Sequence, residues 1–221
     1  MSIRHHLGDA LLLSHASGSL GEAWSLAVAT HIALCPTCRA NVARAEAIGG
    51  ALVEEIAPAA MSENAFSSVL ERLGDSVAAG EAPRAQAPVV GDIRIPEPLR
   101  SYVAGGGTGA GLPWRRLGLG AYQIPIATRD RSATARLLRI PAGKPVPEHG
   151  HGGLELTLVL SGAFTDGDAY FGPGDIEEAD EAVVHKPHAV AGEDCICLAV
   201  TDAPLRFESP IMRMMQPLLK I

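Results

Sequence analysis

The sequence has few aromatic residues, no excess of positive charge and no long apolar run near its N-terminus. Phe, Trp and Tyr make up 4% of the 221 residues although 47% are hydrophobic, so aliphatic side chains and alanine must form most of any core. The net charge of −7 argues against a protein that binds nucleic acid through its phosphates. Leu11–Leu13 is too short to span a bilayer, and Met1–Ala10 lacks the pattern of a signal peptide. We therefore expect a cytoplasmic chain with no direct contact to membrane or nucleic acid.

Cysteine is also scarce. The four cysteines occur as two close pairs, Cys35 with Cys38 and Cys195 with Cys197, whereas secreted disulfide proteins disperse their cysteines along the chain. In a reducing compartment, close pairs are typical of metal or redox chemistry. The second pair lies on one face of the apolar run DCICLAV, where packing is the favoured interpretation and oxidant sensing is the alternative.

The residue pattern changes once along the chain, which is long enough for two modest domains. Residues up to about 80 are rich in Ala and Leu at helical spacing. After Ala78–Asp92, which combines Ala, Pro, Gly and charge, short β-rich runs are separated by Gly and Pro. We therefore expect an α+β multidomain protein with a small helical domain at 1–78, a linker at 79–95 and a β-barrel or sandwich domain at 96–221. The clearest predicted strands are Ala135–Ile140, Leu154–Leu160 and Cys195–Val200.

Capping and turn residues predict four short helices in the first domain. Asp9 is expected to cap the first helix, and Ser19 with Glu22 has the spacing of a capping box for the second. We expect the first helix to end near Gly18 and the second near Leu34. The third helix should run from Pro36 to about Ile56, and the fourth should start near Ser62. One apolar stripe on the fourth helix is formed by Phe66, Val69, Leu70 and Leu73.

A histidine and two cysteines in the segment HIALCPTC have the spacing of metal ligands. His31 and Cys35 lie four residues apart on one face of the second helix, and Cys38 returns to the same point after the turn. Zinc is usually held by four nitrogen or sulfur ligands, so the fourth must come from elsewhere, and His5 and His6 are both candidates. Because a small Ala-rich domain buries little area, we expect the zinc to be structural and to supply folding free energy.

A redox dithiol is the alternative interpretation of Cys35 and Cys38. The thioredoxin-like C-x-x-C pair follows a strand in a βαβ unit, whereas helices are predicted on both sides of this pair. Zinc is therefore favoured over a dithiol. A sensor in which these two cysteines form a disulfide and expel the zinc stays as a lesser alternative.

The segment GKPVPEHGHGGLELTLVLSG contains a second set of possible ligands. Its spacing, G-x5-H-x-H-x3-E-x6-G, covers Gly143, His149, His151, Glu155 and Gly162. The three ligand candidates have equal parity, so on an extended chain they can face one side of a sheet and meet one ion inside a barrel. A fourth ligand would come from VVHKPHAV, where His185 and His188 have opposite parity.

This spacing resembles the first motif of the cupins, β-barrel proteins whose metal is usually held by three histidines and one glutamate. The resemblance implies a cupin-like barrel for the second domain. Imidazole and carboxylate ligands suit zinc, manganese or Fe(II), and the sequence does not choose among them.

The combination of an H-x3-C-x2-C helical domain with a cupin resembles the ChrR-type zinc-binding anti-sigma factors over nearly the whole chain. The segments that carry the resemblance are IRHH, DALL, THIALCPTC, HGHGGLELTLVLSGAF and DCICLAVTDAPLRF. It implies that the N-terminal zinc is held by His6, His31, Cys35 and Cys38. It implies that the cupin metal is held by His149, His151, Glu155 and His185.

The resemblance also implies a function. In this family the zinc domain binds an extracytoplasmic-function-type sigma factor, one to one, and covers surfaces needed by core RNA polymerase, while the cupin controls release under singlet oxygen and related oxidants. The implied protein is a regulator and not an enzyme. Independently, residues 1–80 hold eight acidic and four basic side chains, a local charge of −4, which suits a basic partner.

A metal-dependent cupin enzyme, such as an Fe(II) dioxygenase with an accessory zinc domain, is the main alternative. The same three histidines and one glutamate serve both functions, because an open coordination position lets dioxygen or a substrate bind. A separate zinc-stapled helical domain has an evident use in sigma binding and none in an enzyme. The anti-sigma hypothesis is therefore favoured.

Overall fold

The computed structural model of the chain describes residues 2–76, 89–90, 93–103, 112–118, 120–208 and 213–214. Most of the predicted linker lies outside these residues. The described residues form helices in the first part of the chain and antiparallel strands in the second, as the sequence predicts. The helices are α1 (Asp9–Ala16), α2 (Glu22–Leu34), α3 (Pro36–Glu54), α4 (Ala65–Ser76) and α5 (Glu97–Val103). The first four were predicted, and α5 was not.

Two of the predicted helix caps are wrong. Asp9 lies inside the first turn of α1, and Gly8 is the N-cap residue. No capping box forms before α2, whose N-cap is Gly21. The backbone N–H of Glu22 donates instead to the carboxylate of Asp130, more than 100 residues away. A side chain from the barrel therefore accepts the hydrogen bond of a backbone N–H that has no partner within the first turn of this helix.

Fourteen strands are described. Their bounds are β1 (Val89–Val90), β2 (Ile93–Arg94), β3 (Arg115–Gly118), β4 (Ala121–Ile126), β5 (Thr134–Ile140), β6 (His149–Gly150), β7 (Glu155–Ser161), β8 (Phe164–Asp166), β9 (Ala169–Phe171), β10 (Ile176–Ala179), β11 (Val184–His185), β12 (His188–Ala189), β13 (Cys195–Thr201) and β14 (Arg206–Phe207). The three clearest strands predicted from the sequence correspond to β5, β7 and β13.

The strands after α5 form a cupin-like arrangement. A six-stranded antiparallel sheet has the order β10-β7-β13-β5-β4-β3, and two three-stranded sheets have the orders β11-β6-β14 and β12-β8-β9. Of the motif histidines, His149 lies on β6 and His151 follows that strand directly. Strand β6 pairs β11 so that His149 is opposite His185. The pairing therefore brings together ligand candidates that are 36 residues apart in sequence.

Helix α2 joins the helices to the barrel. Seven of its 13 residues are buried, as is typical of a helix with protein on several sides. It contacts α1, α3, α5, β7 and β13, and Trp24, Ala27 and Val28 belong to the same buried cluster as Leu158 and Leu198. One apolar core thus continues from the helices into the outer face of the main sheet.

Candidate metal centres

Four N and S side chains meet where α2 ends and α3 begins. Possible ligand atoms of His6, His31, Cys35 and Cys38 all lie within 4.8 Å of one another, and we call these residues the helical cluster. His6 Nδ1 is 3.3 Å from Cys35 Sγ and 3.6 Å from Cys38 Sγ. His31, Cys35 and Cys38 are at most 1% exposed. The structure brings all four predicted residues of this site together.

The helix junction places the two thiols. Cys35 is both the C-cap of α2 and the N-cap of α3, and its Sγ accepts a hydrogen bond from the Cys38 N–H at 3.5 Å. Pro36 at the first position of α3 starts the new helix as predicted. Burial raises the pKa of the Cys38 thiol to about 11, so without a cation this thiol stays protonated, whereas a coordinated thiol is deprotonated outright.

The ring of His31 shows that the helical cluster suits a metal ion. Its Nδ1 lies 3.0 Å from the carbonyl oxygen of Gly174, and since a carbonyl only accepts, Nδ1 carries the proton. Its Nε2 is buried and has no hydrogen-bond partner among the described residues. Burial lowers the pKa of His31 to about 4, which keeps this nitrogen unprotonated. A buried acceptor without a partner is costly, and a metal ion would use its lone pair.

The neighbouring His5 has a different environment. Its ring lies 4.2 Å from that of Phe171, centroid to centroid, and its Nδ1 is 3.6 Å from the Asp175 carboxylate. Only His6 of this pair joins the helical cluster. The sequence alone left the choice between the two histidines open.

Three imidazoles form the second cluster, inside the barrel. The Nε2 atom of His185 lies 3.1 Å from the Nε2 atoms of both His149 and His151, and we call these three residues the barrel cluster. All three are buried. His149 Nδ1 donates to the Pro147 carbonyl at 2.8 Å, which leaves its Nε2 with a lone pair. Burial lowers the pKa of His149 and His151 to about 4, so lone pairs converge on a point that a cation would stabilise.

Glu155, the fourth predicted ligand of the barrel, lies beside the barrel cluster and not within it. Its Oε2 is 3.5 Å from Nδ1 of His151, and its Oε1 accepts a hydrogen bond from Thr157 at 3.0 Å. Burial raises the pKa of this carboxyl. The other open candidate, His188, is exposed and outside the barrel cluster.

Two carboxylates that the sequence did not single out contact His185 from its other side. Its Nδ1 lies 3.1 Å from Asp166 and 3.8 Å from Glu177, and these three residues form a further group that could hold a metal ion. Burial alone would lower the pKa of His185, but the two carboxylates outweigh it and the pKa is raised. Glu177 lies in an acidic run, IEEAD, that carries no metal-ligand spacing of its own, so only the strand pairing identifies it.

The barrel contains a partly open cavity of about 770 Å³. His149, Glu155 and Glu177 line it together with the second cysteine pair, Cys195 and Cys197. Both cysteines are buried free thiols. A hydrogen bond with Cys195, together with burial, raises the pKa of Cys197. The pair thus forms part of the cavity wall.

The fold and these two clusters define a class of protein with one candidate metal centre in a helical module and another in a cupin-like barrel. A family model described as the ChrR cupin-like domain matches residues 108–204. The anti-sigma-E factor ChrR of Cereibacter sphaeroides is 51% identical over 221 residues, which is 100% of both chains. The chain therefore belongs to the ChrR family of anti-sigma factors.

One solved structure agrees with this assignment. The crystal structure of Rhodobacter sphaeroides SigE in complex with the anti-sigma ChrR matches with a TM-score of 0.75 and 47% identity, over 91% of this chain and 100% of that one. An RmlC-like cupin protein of Ralstonia eutropha JMP134 matches at 20% identity with a TM-score of 0.41, over 45% of this chain and 68% of that one. Among the described residues, no helix is both long and apolar enough to cross a membrane.

Proposed function

We propose that this protein binds and inhibits an extracytoplasmic-function-type sigma factor in the cytoplasm, as a 1:1 complex, and releases it under oxidative stress of the singlet-oxygen type. Residues 1–78 would bind sigma, residues 79–95 would link the two parts, and residues 96–221 would govern release. Membership of the ChrR family supports this proposal, as does the match to a structure described as SigE in complex with ChrR.

The observation that carries the proposal is a large exposed apolar surface on the helical module. Only Cys38 and Val42 are buried among the 19 residues of α3, and its C-terminal half exposes several aliphatic side chains. The apolar stripe of α4 is also open to solvent, with exposed fractions of 44–73%. The exposed set comprises Ile48, Leu52, Val53, Ile56, Met61, Phe66, Val69, Leu70 and Leu73. Exposed apolar side chains in this number, on neighbouring segments of the chain, are typical of a protein-binding site.

The metal ions that we propose follow from the donor types. Two nitrogens and two sulfurs in the helical cluster suit a structural, four-coordinate zinc ion. The barrel cluster, with Glu155 beside it, suits zinc, manganese or Fe(II). The protein's own residues would hold these ions, and the helical ion would supply folding free energy to a module with a small core.

The role that we propose for the barrel is regulatory, and the family supports this over the dioxygenase alternative. A sensor and a dioxygenase differ in turnover. Oxygen consumption by the Fe(II)-loaded protein that depends on an added substrate would favour the enzyme, and its absence across candidate substrates favours the regulator.

The test of sigma binding is co-expression of the full chain with an extracytoplasmic-function-type sigma factor, followed by sizing of the purified complex. We expect a 1:1 complex. Phe66→Ala removes an exposed aromatic ring from the α4 stripe and should weaken the complex by about 2 kcal/mol, roughly 30-fold in Kd, as for an aromatic residue that dominates an interface. Tyr170→Ala, at an exposed ring on the barrel, is the matched control and should leave Kd unchanged. Failure to bind any such sigma factor would overturn the proposal.

A further inference from the structure

The barrel turn before β10 holds the N-terminal segment that carries His6. Asp175 accepts hydrogen bonds through Oδ1 from the backbone N–H groups of Arg4 and His5, at 2.6 and 2.9 Å. Its Oδ2 accepts from the Gly172 N–H at 2.9 Å. Asp175 is 4% exposed, and charge-assisted hydrogen bonds that N–H groups donate to a buried carboxylate are strong and geometrically restrictive. The backbone immediately before His6 is therefore anchored on the barrel.

The residue before Asp175 contacts a second member of the helical cluster. The Gly174 carbonyl accepts a hydrogen bond from the His31 Nδ1–H, which leaves the lone pair of the buried Nε2 free within the helical cluster. Gly174 has a φ of +91°, and a Cβ at this position would lie 2.6 Å from Cδ1 of Ile3. The positive φ strongly favours glycine, and any larger residue would also require the Ile3 side chain to move. Two consecutive barrel residues thus set the position of both imidazoles in the helical cluster.

Strand β10 continues from this turn toward the barrel cluster. The Glu178 carboxylate accepts a hydrogen bond from the Gly8 N–H at 2.8 Å, so it also holds the N-terminal segment. Its neighbour Glu177 has its carboxylate 3.8 Å from Nδ1 of His185. The short segment 174–178 therefore contacts a member of the barrel cluster, a member of the helical cluster and the N-terminal segment that carries His6.

We propose that Gly174 and Asp175 are positioning residues of the helical metal centre, and that β10 couples this centre to the barrel cluster. The inference rests on the proposed metal binding at both centres. Partners that orient metal ligands typically contribute 10- to 100-fold to metal affinity. A rearrangement at His185 and Glu177 would move β10, and with it the anchors of His6 and His31. Since Cys35 and Cys38 lie at the start of α3, the change would reach the proposed sigma-binding surface.

A cobalt titration of the metal-free full-length protein tests the positioning role. Thiolate-to-cobalt charge-transfer absorption reports the helical cluster selectively, because the barrel cluster contains no thiolate. Asp175→Ala should weaken cobalt binding at this band about 10-fold. Asp175→Asn keeps the Oδ1 acceptor and should recover most of the affinity. Asp168→Ala, at an exposed carboxylate between β8 and β9, should leave it unchanged.

The outcomes separate this inference from the proposed function. Unchanged cobalt affinity in Asp175→Ala would overturn the positioning role. A missing thiolate band in the unsubstituted protein would overturn metal binding at the helical cluster, and this inference with it. If Asp175→Ala does not fold, hydrogen exchange in a second variant, Cys35→Ser, tests the positioning role. With zinc present, the backbone amides of Gly172 and Ile176 in Cys35→Ser should exchange about 10-fold faster than in the unsubstituted protein. Equal exchange rates would overturn the positioning role.

The coupling has its own test. If the two centres share β10, filling one should change the metal affinity of the other, and by thermodynamic linkage the change is reciprocal. We expect an increase, because a filled barrel centre would hold β10, and with it the anchors of His6 and His31, in place. His185→Ala removes the barrel residue that Glu177 contacts, and it should weaken cobalt binding at the thiolate band about threefold or more. His188→Ala, at an exposed histidine three residues on, is the matched control. Equal affinity in the two variants would overturn the coupling.

Discussion

His185 Nδ1 lies 3.1 Å from the Asp166 carboxylate, while its Nε2 lies 3.1 Å from the Nε2 atoms of His149 and His151. The carboxylate selects the tautomer that carries its proton on Nδ1. The Nε2 lone pair is then directed at the other two imidazoles. A carboxylate that orients a histidine in this way also raises its basicity as a metal ligand.

Asp166→Ala should therefore weaken metal binding at the barrel cluster roughly 10-fold. The measurement is competition with a chelating dye in a Cys35→Ser, Cys38→Ser background, where only the barrel cluster retains its ligands. Asp168→Ala, two residues on, is the control with an exposed carboxylate. Equal metal affinity in the two variants would contradict an orienting role for Asp166.

Metal removal should affect the two parts of the chain differently. Apart from α2, the helical module buries few side chains, with only Leu12 buried in α1 and only Cys38 and Val42 in α3, so we expect a chelator to abolish much of its helical circular dichroism while the barrel remains folded. Compared with protein in zinc at 1,000 times its Kd, the metal-free protein should have a free energy of unfolding that is lower by about 4 kcal/mol or more. Cys38→Ser should reproduce the effect without chelator, whereas His149→Ala should retain the helices. Unchanged helicity after metal removal would show that the metal is not structural.

Acid should loosen the contact between Asp130 and the start of α2. The hydrogen bond from the Glu22 N–H lowers the pKa of Asp130 below its usual value of 3.8. Because the folded pKa is the lower one, the stabilising contribution is complete above the unfolded pKa and is lost as pH falls through the folded pKa. Stability should therefore decline from about pH 4 downward, with Asp130 as one contributor.

Urea unfolding between pH 7 and pH 3 checks this expectation by comparing variants. Asp130→Ala should be less stable than the unsubstituted protein at neutral pH, because the helix start loses its acceptor. Asp130→Asn keeps an acceptor of comparable capping strength and should show a shallower loss of stability in acid. Asp168→Asn is the control at an exposed aspartate. Identical acid slopes for all of these proteins would rule out the contribution of Asp130.

Substitution in the barrel should separate sigma binding from release. His149 and Glu155 belong to the barrel and not to the proposed sigma-binding surface of α3 and α4. In His149→Ala and Glu155→Ala the Kd for sigma should therefore stay within about twofold of its value in the unsubstituted protein. Release of sigma after exposure to singlet oxygen should be strongly reduced. Glu148→Ala changes an exposed neighbour and should respond as the unsubstituted protein does. Loss of sigma binding in the barrel variants would mean that the two parts do not act as separate modules.

Local patterns predicted the helical cluster well because most of it is local. His31, Cys35 and Cys38 follow one another across a helix, a turn and the next helix, and Pro36 marks the turn. The choice of His6 over His5 is not local. Two adjacent residues of a non-helical segment point in different directions, and Asp175 and Phe171 of the barrel determine which direction each takes.

The barrel shows the same division. Parity along the chain placed His149 and His151 on one face, and the spacing around Glu155 indicated a cupin. That spacing did not show that Glu155 would lie beside the imidazole group and not within it. Nor did it identify Asp166 and Glu177, which reach His185 only because the tertiary structure brings β8, β10 and β11 together.

The sequence by itself determined the two predicted sets of donors, the helical and β halves and the strand that carries Glu155, because helix and strand periodicity link residues a few positions apart. The tertiary structure decided which donors meet, what orients them and how the two halves join. Hydrogen bonds such as those from Glu22 to Asp130, from His31 to Gly174 and from Arg4 to Asp175 connect residues more than 100 positions apart. Helix and strand periodicity cannot predict such pairs, because these hydrogen bonds form only when the helices pack on the barrel and buried polar groups must find partners there.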